Sequence, residues 1–330
     1  MKALKITLII AFGLFLLTGC NQKPQIGLLM DTLAQERWEK DMTLIEKHIE
    51  EMGGICTVAI ADSDPDKQLQ QAKELIENGA EVLIVIPVDS KKAGDIVRYA
   101  HQHYVPVISY DRLIKDCNLD YYISTDNIAI GELQANFLTK IKPTGKYGIV
   151  GGPTLDNNAY LLNLGQMNVL APFVEKGDIE IVFNKFSSDW SLHEGYNITK
   201  DYLTNTDTAL DAVIASNDAL AAGVISALKE HNMAGRVLIA GQDADKEAIR
   251  KIVGGDQTIT IYKPIESMAY AVANAAIKIS DGIAPSNMNL TEHNGKRLVP
   301  AILLPAQVVH RQNIKMTLES DNFVNGEDIK

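Results

Sequence analysis

Val82-Leu83-Ile84-Val85-Ile86 is the stretch that settles the architecture. An uninterrupted apolar, largely β-branched run of strand length is buried on both faces, whereas a sheet wetted on one side alternates. Just upstream, Asp66 to Asn78 sets Leu69, Ala72, Leu75 and Ile76 on one helical face, so helix precedes strand. With that run placed at 81–86, further strand-like runs lie at 26–30, 55–60, 105–110, 120–124, 146–150, 179–183, 211–215, 236–240 and 258–262. Amphipathic patterns separate most of them. This βαβα rhythm predicts an α/β protein with parallel sheets and right-handed crossovers. It runs twice, one set of strands ending near Asp126 and another beginning near Tyr147. A chain of 330 residues is also too long for one ordinary core. No low-complexity linker separates the halves, so short hinge segments join them. Lys263-Pro264 breaks the pattern, a long Ala-rich helix follows at about Ile265 to Asp281, and a last apolar run spans Leu298 to Leu304. Two domains linked by several chain crossings account for these late elements, and such a pair bends around a cleft.

In open α/β sheets ligands sit beyond the carboxyl ends of the strands. Here those ends are polar. Val107-Ile108-Ser109-Tyr110 runs into Asp111-Arg112, and Tyr121-Tyr122-Ile123-Ser124-Thr125 into Asp126-Asn127. The first strand is followed by Asp31 and then Glu36-Arg37-Trp38 at a helix start. Gly151-Gly152 leads to Asp156-Asn157-Asn158, the strand ending at Ser216 meets Asn217-Asp218, and Ala240 is followed by Gly241-Gln242-Asp243-Ala244-Asp245. Thr258 to Tyr262 ends at Lys263. Nearly every strand exit in both halves can hydrogen-bond a hydroxyl. The two tryptophans, Trp38 and Trp190, lie one in each half, where their faces can pack on the C–H faces of a ring while polar groups read its hydroxyls. Taken singly, Asp111-Arg112 reads equally as a surface ion pair, Asn217 and Asp243 as helix caps, and each tryptophan as core.

Other chemistry finds no support in the sequence. There is no Gly-rich phosphate loop, nucleophile elbow or zincin helix, and no histidine stands beside a Ser or Cys in a catalytic context. The chain reads as no enzyme. Asp62-Ser63-Asp64-Pro65-Asp66 imitates an EF-hand loop but has Lys67 and Lys73 where a glycine and an acidic residue belong, so it reads as a helix cap. No Cys/His spacing marks a metal site, and no cofactor is called for. A net charge of −11 argues against nucleic acid, which needs a basic face.

The amino end is a targeting segment: Lys2 and Lys5, an apolar stretch Ile6 to Leu17, then Leu17-Thr18-Gly19-Cys20, which looks like a bacterial lipobox. That reading makes residues 1–19 a lipoprotein signal peptide and Cys20 the lipidated residue. Residues 20–25 become a tether holding the mature protein outside the cytoplasmic membrane. Cys56, in a strand-like run, and Cys117 remain, and the sequence leaves open whether they pair.

The motifs Glu36-Arg37-Trp38, Tyr110-Asp111-Arg112, Tyr122-Ile123-Ser124-Thr125-Asp126-Asn127, Asp156-Asn157-Asn158-Ala159, Ala215-Ser216-Asn217-Asp218, Gly241-Gln242-Asp243-Ala244-Asp245 and Ile261-Tyr262-Lys263-Pro264 resemble those of the periplasmic sugar-binding proteins of the ribose/galactose/xylose group. The resemblance runs from about Ile26 to beyond Pro300. The Glu-Arg-Trp, Gly-Gln-Asp-Ala-Asp and Tyr-Lys-Pro versions point within the group to xylose. It implies two Rossmann-like lobes joined by a three-segment hinge (the type I periplasmic-binding fold), with residues 26–126 and 264–302 in the first lobe and 127–263 and 303–330 in the second. It further implies that Arg37, Trp38, Asp111 and Arg112 hold an aldopentose from one side. Asn157 or Asn158, Trp190, Asn217, Asp243 and Lys263 hold it from the other. Asp126, Asn127, Lys263 and Pro264 then serve as hinge. The stretch Asn158 to Asn163 contains no basic residue, so no basic contact is implied from that helix. The implied partner is the membrane permease of an ABC transporter or, alternatively, a membrane sensor kinase. The lipobox is the departure, since many relatives are soluble in the periplasm.

Overall fold

The computed structural model describes residues 23–206, 209–288 and 290–319. The signal segment expected over 1–19, Cys20 and residues 320–330 lie outside these. Of the expected tether only 23–25 are described, and Gln25 already opens the first strand.

The first half alternates β1 (Gln25–Met30), α1 (Glu36–Glu51), β2 (Ile55–Ile60), α2 (Pro65–Glu77), β3 (Val82–Val85), α3 (Gly94–Gln102), β4 (Val107–Tyr110) and β5 (Tyr121–Thr125). The second half repeats the scheme with α4 (Asn127–Ile141), β6 (Gly145–Gly151), α5 (Asn157–Glu175), β7 (Ile179–Phe186), α6 (Leu192–Asn205), β8 (Ala212–Ala215), α7 (Asp218–Glu230), β9 (Leu238–Ala240), α8 (Lys246–Gly254) and β10 (Ile259–Tyr262). Then come α9 (Ile265–Ser280), β11 (Leu290–His293), β12 (Leu298–Leu304) and β13 (Gln307–His310).

These strands make two sheets, ordered β11-β12-β5-β4-β3-β1-β2 and β13-β10-β9-β8-β6-β7. Without the late strands the two orders are the same, second-first-third-fourth-fifth, and every pair among these strands is parallel. The doubled rhythm of the sequence is therefore a doubled topology. The apolar run at the centre of the first sheet is buried on both faces. Ile84 packs among Ile45, Ile49 and Met268 under α1 and α9, while Leu83 and Val85 pack with Ala72, Leu75 and Val97 under α2 and α3. In the second sheet α4 and α5 cover one face and α6 and α7 the other. Asp64 caps α2 by accepting from the Asp66 and Lys67 N–H groups, so the EF-hand look-alike is a helix start.

Two strands had no counterpart in the reading of the sequence. β11 and β13 are antiparallel edge strands, pairing with β12 and β10 respectively, so the sheets are mostly rather than wholly parallel. Strand β12 also belongs to the first sheet through Leu304, beside β5, and β13 joins the second sheet at Gln307. The turn from one sheet to the other thus falls at 305–306, beyond the boundary expected after residue 302. The chain also passes between sheets from β5 to α4, and from β10 through Lys263-Pro264 to α9. Cys56 and Cys117 are free thiols. Burial, with Glu46 and Glu50 nearby, pushes Cys56 up to about 12, and burial pushes Cys117 up to about 11.

Candidate functional site

Strands β4 and β9 occupy the same place in their sheets, and an aspartate follows each, Asp111 directly after β4 and Asp243 three residues beyond β9. Asp111 takes φ +60° and its N–H donates to the Ile123 carbonyl of β5 at 2.8 Å; Asp243 takes φ +100° and donates to the Ile261 carbonyl of β10 at 2.8 Å. Asp is one of the few residue types that enter this left-handed region readily. Each lobe therefore turns one carboxylate off its sheet by the same device, and the two meet in the cleft.

Two cations lie between them. Arg37, in the first turn of α1, reaches Asp111 Oδ2 with Nη2 at 3.0 Å, Asp243 Oδ1 with Nη1 at 3.3 Å and Asp41 Oδ2 with Nε at 3.1 Å. Asp41 also accepts from the Tyr110 hydroxyl. Lys263 Nζ, from the end of β10, stands 3.3 Å from Asp111 Oδ2 and 4.0 Å from Asp243 Oδ1. Arg112 spans the lobes differently, with Asp31 Oδ2 at 2.5 Å from Nη1 and Asp156 Oδ2 at 2.8 Å from Nε. Asp156 caps α5 through the Asn158 N–H and accepts from Trp190 Nε1 at 3.2 Å. Trp38 packs against both guanidinium groups, with ring-centre distances of 4.2 Å to Arg37 and 5.2 Å to Arg112. Trp190 lies so close over Gly152 that a Cβ there would enter its ring.

Asn158 donates to the Asp111 carbonyl at 3.2 Å and to Asp111 Oδ1 at 3.1 Å, and accepts from Asn127 Nδ2 at 3.1 Å. Asn217 caps α7 through the Leu220 N–H and also faces the cleft. Its neighbour Asp218 is structural. It accepts from Gln257, Thr260 and the Asp245 N–H, and so holds the loop that presents Asp243.

These groups line a narrow void of about 30 Å³ between the lobes. Every expected contact lines it except one: Asn157, at the first position of α5, faces a separate crevice beside Asp126 and Glu292. One step along a helix rotates a side chain by about 100°, and that step puts Asn158 on the void and Asn157 away from it. Of the expected hinge residues, Asp126 caps α4 through the Ala129 N–H, and Asn127 links that crossing to Asn158. Gln35, Asp156, Leu162 and Gln242 also line the void. Asp156 and Gln242 stand inside the motifs quoted above. Gln35 precedes a helix without any pattern, and Leu162 reads as an ordinary core position of α5, so neither carries a signal.

The arrangement is costly as structure. Each buried ion loses several kcal/mol, roughly, of hydration, and such clusters are poor stabilisers compared with apolar packing. Burial alone would raise the Asp111 carboxyl, but Arg37, Lys263 and Arg112 outweigh it and hold it well below the carboxylate range. Burial opposes the Arg37 charge too, yet Asp111, Asp41 and Asp243 keep it more firmly protonated than a free arginine. For Asp156 burial wins over Arg112, and its carboxyl is raised. Two buried amide oxygens on the void, Gln35 Oε1 and Gln242 Oε1, have no hydrogen-bond partner. Each such orphan costs about 1–3 kcal/mol.

Residues 26–284 match the periplasmic binding protein domain. The chain is 40% identical over 299 residues to the D-xylose-binding periplasmic protein of Escherichia coli (strain K12), covering 91% of this chain and 90% of that one. It is 37% identical over 328 residues to the D-xylose-binding periplasmic protein of Haemophilus influenzae, covering 99% and 98%. Among solved structures, an ABC transporter solute binding protein from Clostridium phytofermentans with bound β-D-glucose superposes with a TM-score of 0.86 at 26% identity, covering 93% of this chain and all of that one. A match that begins in β1 and runs past α9, to relatives that bind rather than catalyse, makes this chain a member of the periplasmic binding protein family and not an enzyme.

Proposed function

We propose that this chain is an extracytoplasmic lipoprotein that encloses one monosaccharide between its lobes and delivers it to the permease of an ABC transporter. The sugar is an aldopentose, with D-xylose the first choice. One observation carries the reading: Asp111 and Asp243, brought from opposite sheets, share Arg37 and Lys263 on a void that also holds two unpartnered amide oxygens. Carboxylates and cations come in near balance there. A neutral ligand that both donates and accepts at every position therefore suits the void better than an anion or a cation. Asp111 and Asp243 accept hydroxyl hydrogens, Arg37, Arg112, Lys263, Asn158 and Asn217 donate, and Trp38 and Trp190 flank the ring. The likeness to D-xylose-binding proteins over nearly the whole chain supports the choice of sugar.

Because ligand contacts from both lobes favour the closed arrangement, sugar binding shifts the population towards it, and a permease can read that shape. The lipobox ending in Cys20 supports a tether to the membrane surface. Isothermal titration with xylose, ribose, glucose and galactose tests the binding: xylose gives saturable heat and the hexoses little or none. The absence of heat with every pentose would overturn the reading. Mass spectrometry of the protein from membranes should find acyl modification on Cys20, and Cys20→Ala should abolish it.

A further inference from the structure

Leu162 is the one aliphatic side chain among the described residues that line the void; the rest are charged or amide side chains and two tryptophans. It is fully buried, one helical turn beyond Asn158 on the same face of α5. Its backbone is clamped. Gly131 of α4 lies so close to the Leu162 carbonyl, and Gly165 so close to the Ile128 carbonyl, that a Cβ on either glycine would collide with the facing backbone. Helices α4 and α5 therefore meet backbone to backbone, and the main chain carrying Leu162 cannot retreat without separating them.

We propose that Leu162 is the residue that selects a pentose over a hexose, an inference that rests on the sugar-binding reading above. A pyranose pentose carries a hydroxyl on every ring carbon except C5, a methylene next to the ring oxygen. Lining groups that donate or accept match the hydroxyl-bearing carbons, and the single aliphatic wall matches the methylene. In a hexose that carbon bears a hydroxymethyl group. Its extra atoms meet a wall fixed by the α4–α5 contact, and its hydroxyl is buried against a side chain that can neither donate nor accept. Both effects act against the hexose and neither against the pentose.

The test is titration of wild type and Leu162→Ala with D-xylose, D-glucose and 6-deoxy-D-glucose, with Leu162→Met as the volume-conserving control. Wild type prefers xylose to glucose by at least about 10-fold, the range that pocket-wall contacts provide. 6-Deoxyglucose, which keeps the bulk but lacks the hydroxyl, falls between them. Leu162→Ala narrows the xylose-to-glucose ratio by about 10-fold or more, and Leu162→Met leaves it near the wild-type value. If the alanine variant does not fold, Leu162→Val replaces it with the same expected narrowing; equal wild-type affinity for xylose and glucose overturns the proposal outright. If xylose binds and Leu162→Ala leaves the ratio unchanged, only this proposal falls. If no pentose binds at all, the sugar reading falls first.

Discussion

At Asp111 the backbone and the side chain make separate demands. The backbone must sit at φ +60°, which asparagine tolerates nearly as well as aspartate and alanine does not. The side chain must balance Arg37 and Lys263, which asparagine cannot do. Asp111→Asn should therefore keep the fold and lose the ligand. Removing one member of a buried, hydrogen-bonded charge set costs about 2–5 kcal/mol, so xylose affinity should drop by roughly 30-fold or more. Titration calorimetry on the variant, with its melting temperature as control, checks both halves. Asp111→Ala should do the same damage to binding and add a loss of stability. The equivalent changes at Asp243, whose φ is +100°, should behave alike, because the two residues are counterparts in the repeated topology.

Helices and strands differ in how plainly the sequence declares them. The central strands are continuous apolar runs, so Val82 to Ile86 or Ala212 to Ala215 announce both the strand and the double burial. β11 (Leu290-Thr-Glu-His) and β13 (Gln307-Val-Val-His) are four-residue edge strands with mixed exposure, and nothing local distinguishes them from loop. Their strand character comes from β12 and β10, which lie next to them in space. The site divides in the same way. Asp111, Asp243 and Lys263 follow legible strands, whereas Leu162 needs the α4–α5 packing to bring it to the void. That packing depends on Gly131 and Gly165. Gly165→Ala should force the two backbones apart at a cost of about 1–3 kcal/mol, the usual penalty for overpacking a tight contact. Urea unfolding should show the loss as a lower midpoint with an unchanged slope.

For the molecule as a whole, the lobes meet through groups of both signs. Ser90 N–H bonds the Leu155 carbonyl at 3.0 Å, and the Lys246 N–H donates to Glu36 across the mouth at 3.4 Å. Next to that contact Asp245 is raised to about 7, first by burial and then by Asp243 and Glu36, against the weaker opposing pull of Arg37 and Lys40. A carboxyl whose folded value exceeds its unfolded value holds its proton more tightly when folded. Stability should therefore rise as pH falls through about 7, and that gain should be complete near pH 4, the ordinary aspartate range. Melting temperatures compared at pH 8 and pH 5.5 should show this increase. In Asp245→Asn the difference should shrink; an undiminished difference would assign it to other groups, among them Asp218, which burial beside Asp245 and Asp243 also raises.

The late strands carry one more consequence, and it concerns time. Ala301 pairs with Tyr122, and Gln307 with Tyr262, so each sheet receives an edge from the last part of the chain. A polypeptide emerging amino end first presents β5 with no neighbour on one side until β6 to β10 of the other lobe have followed it. Neither sheet has all its strands before β12 and β13 are out. Closing both sheets therefore waits on the same late stretch, β12 and β13. A break anywhere ahead of Leu298 leaves both halves incomplete at once.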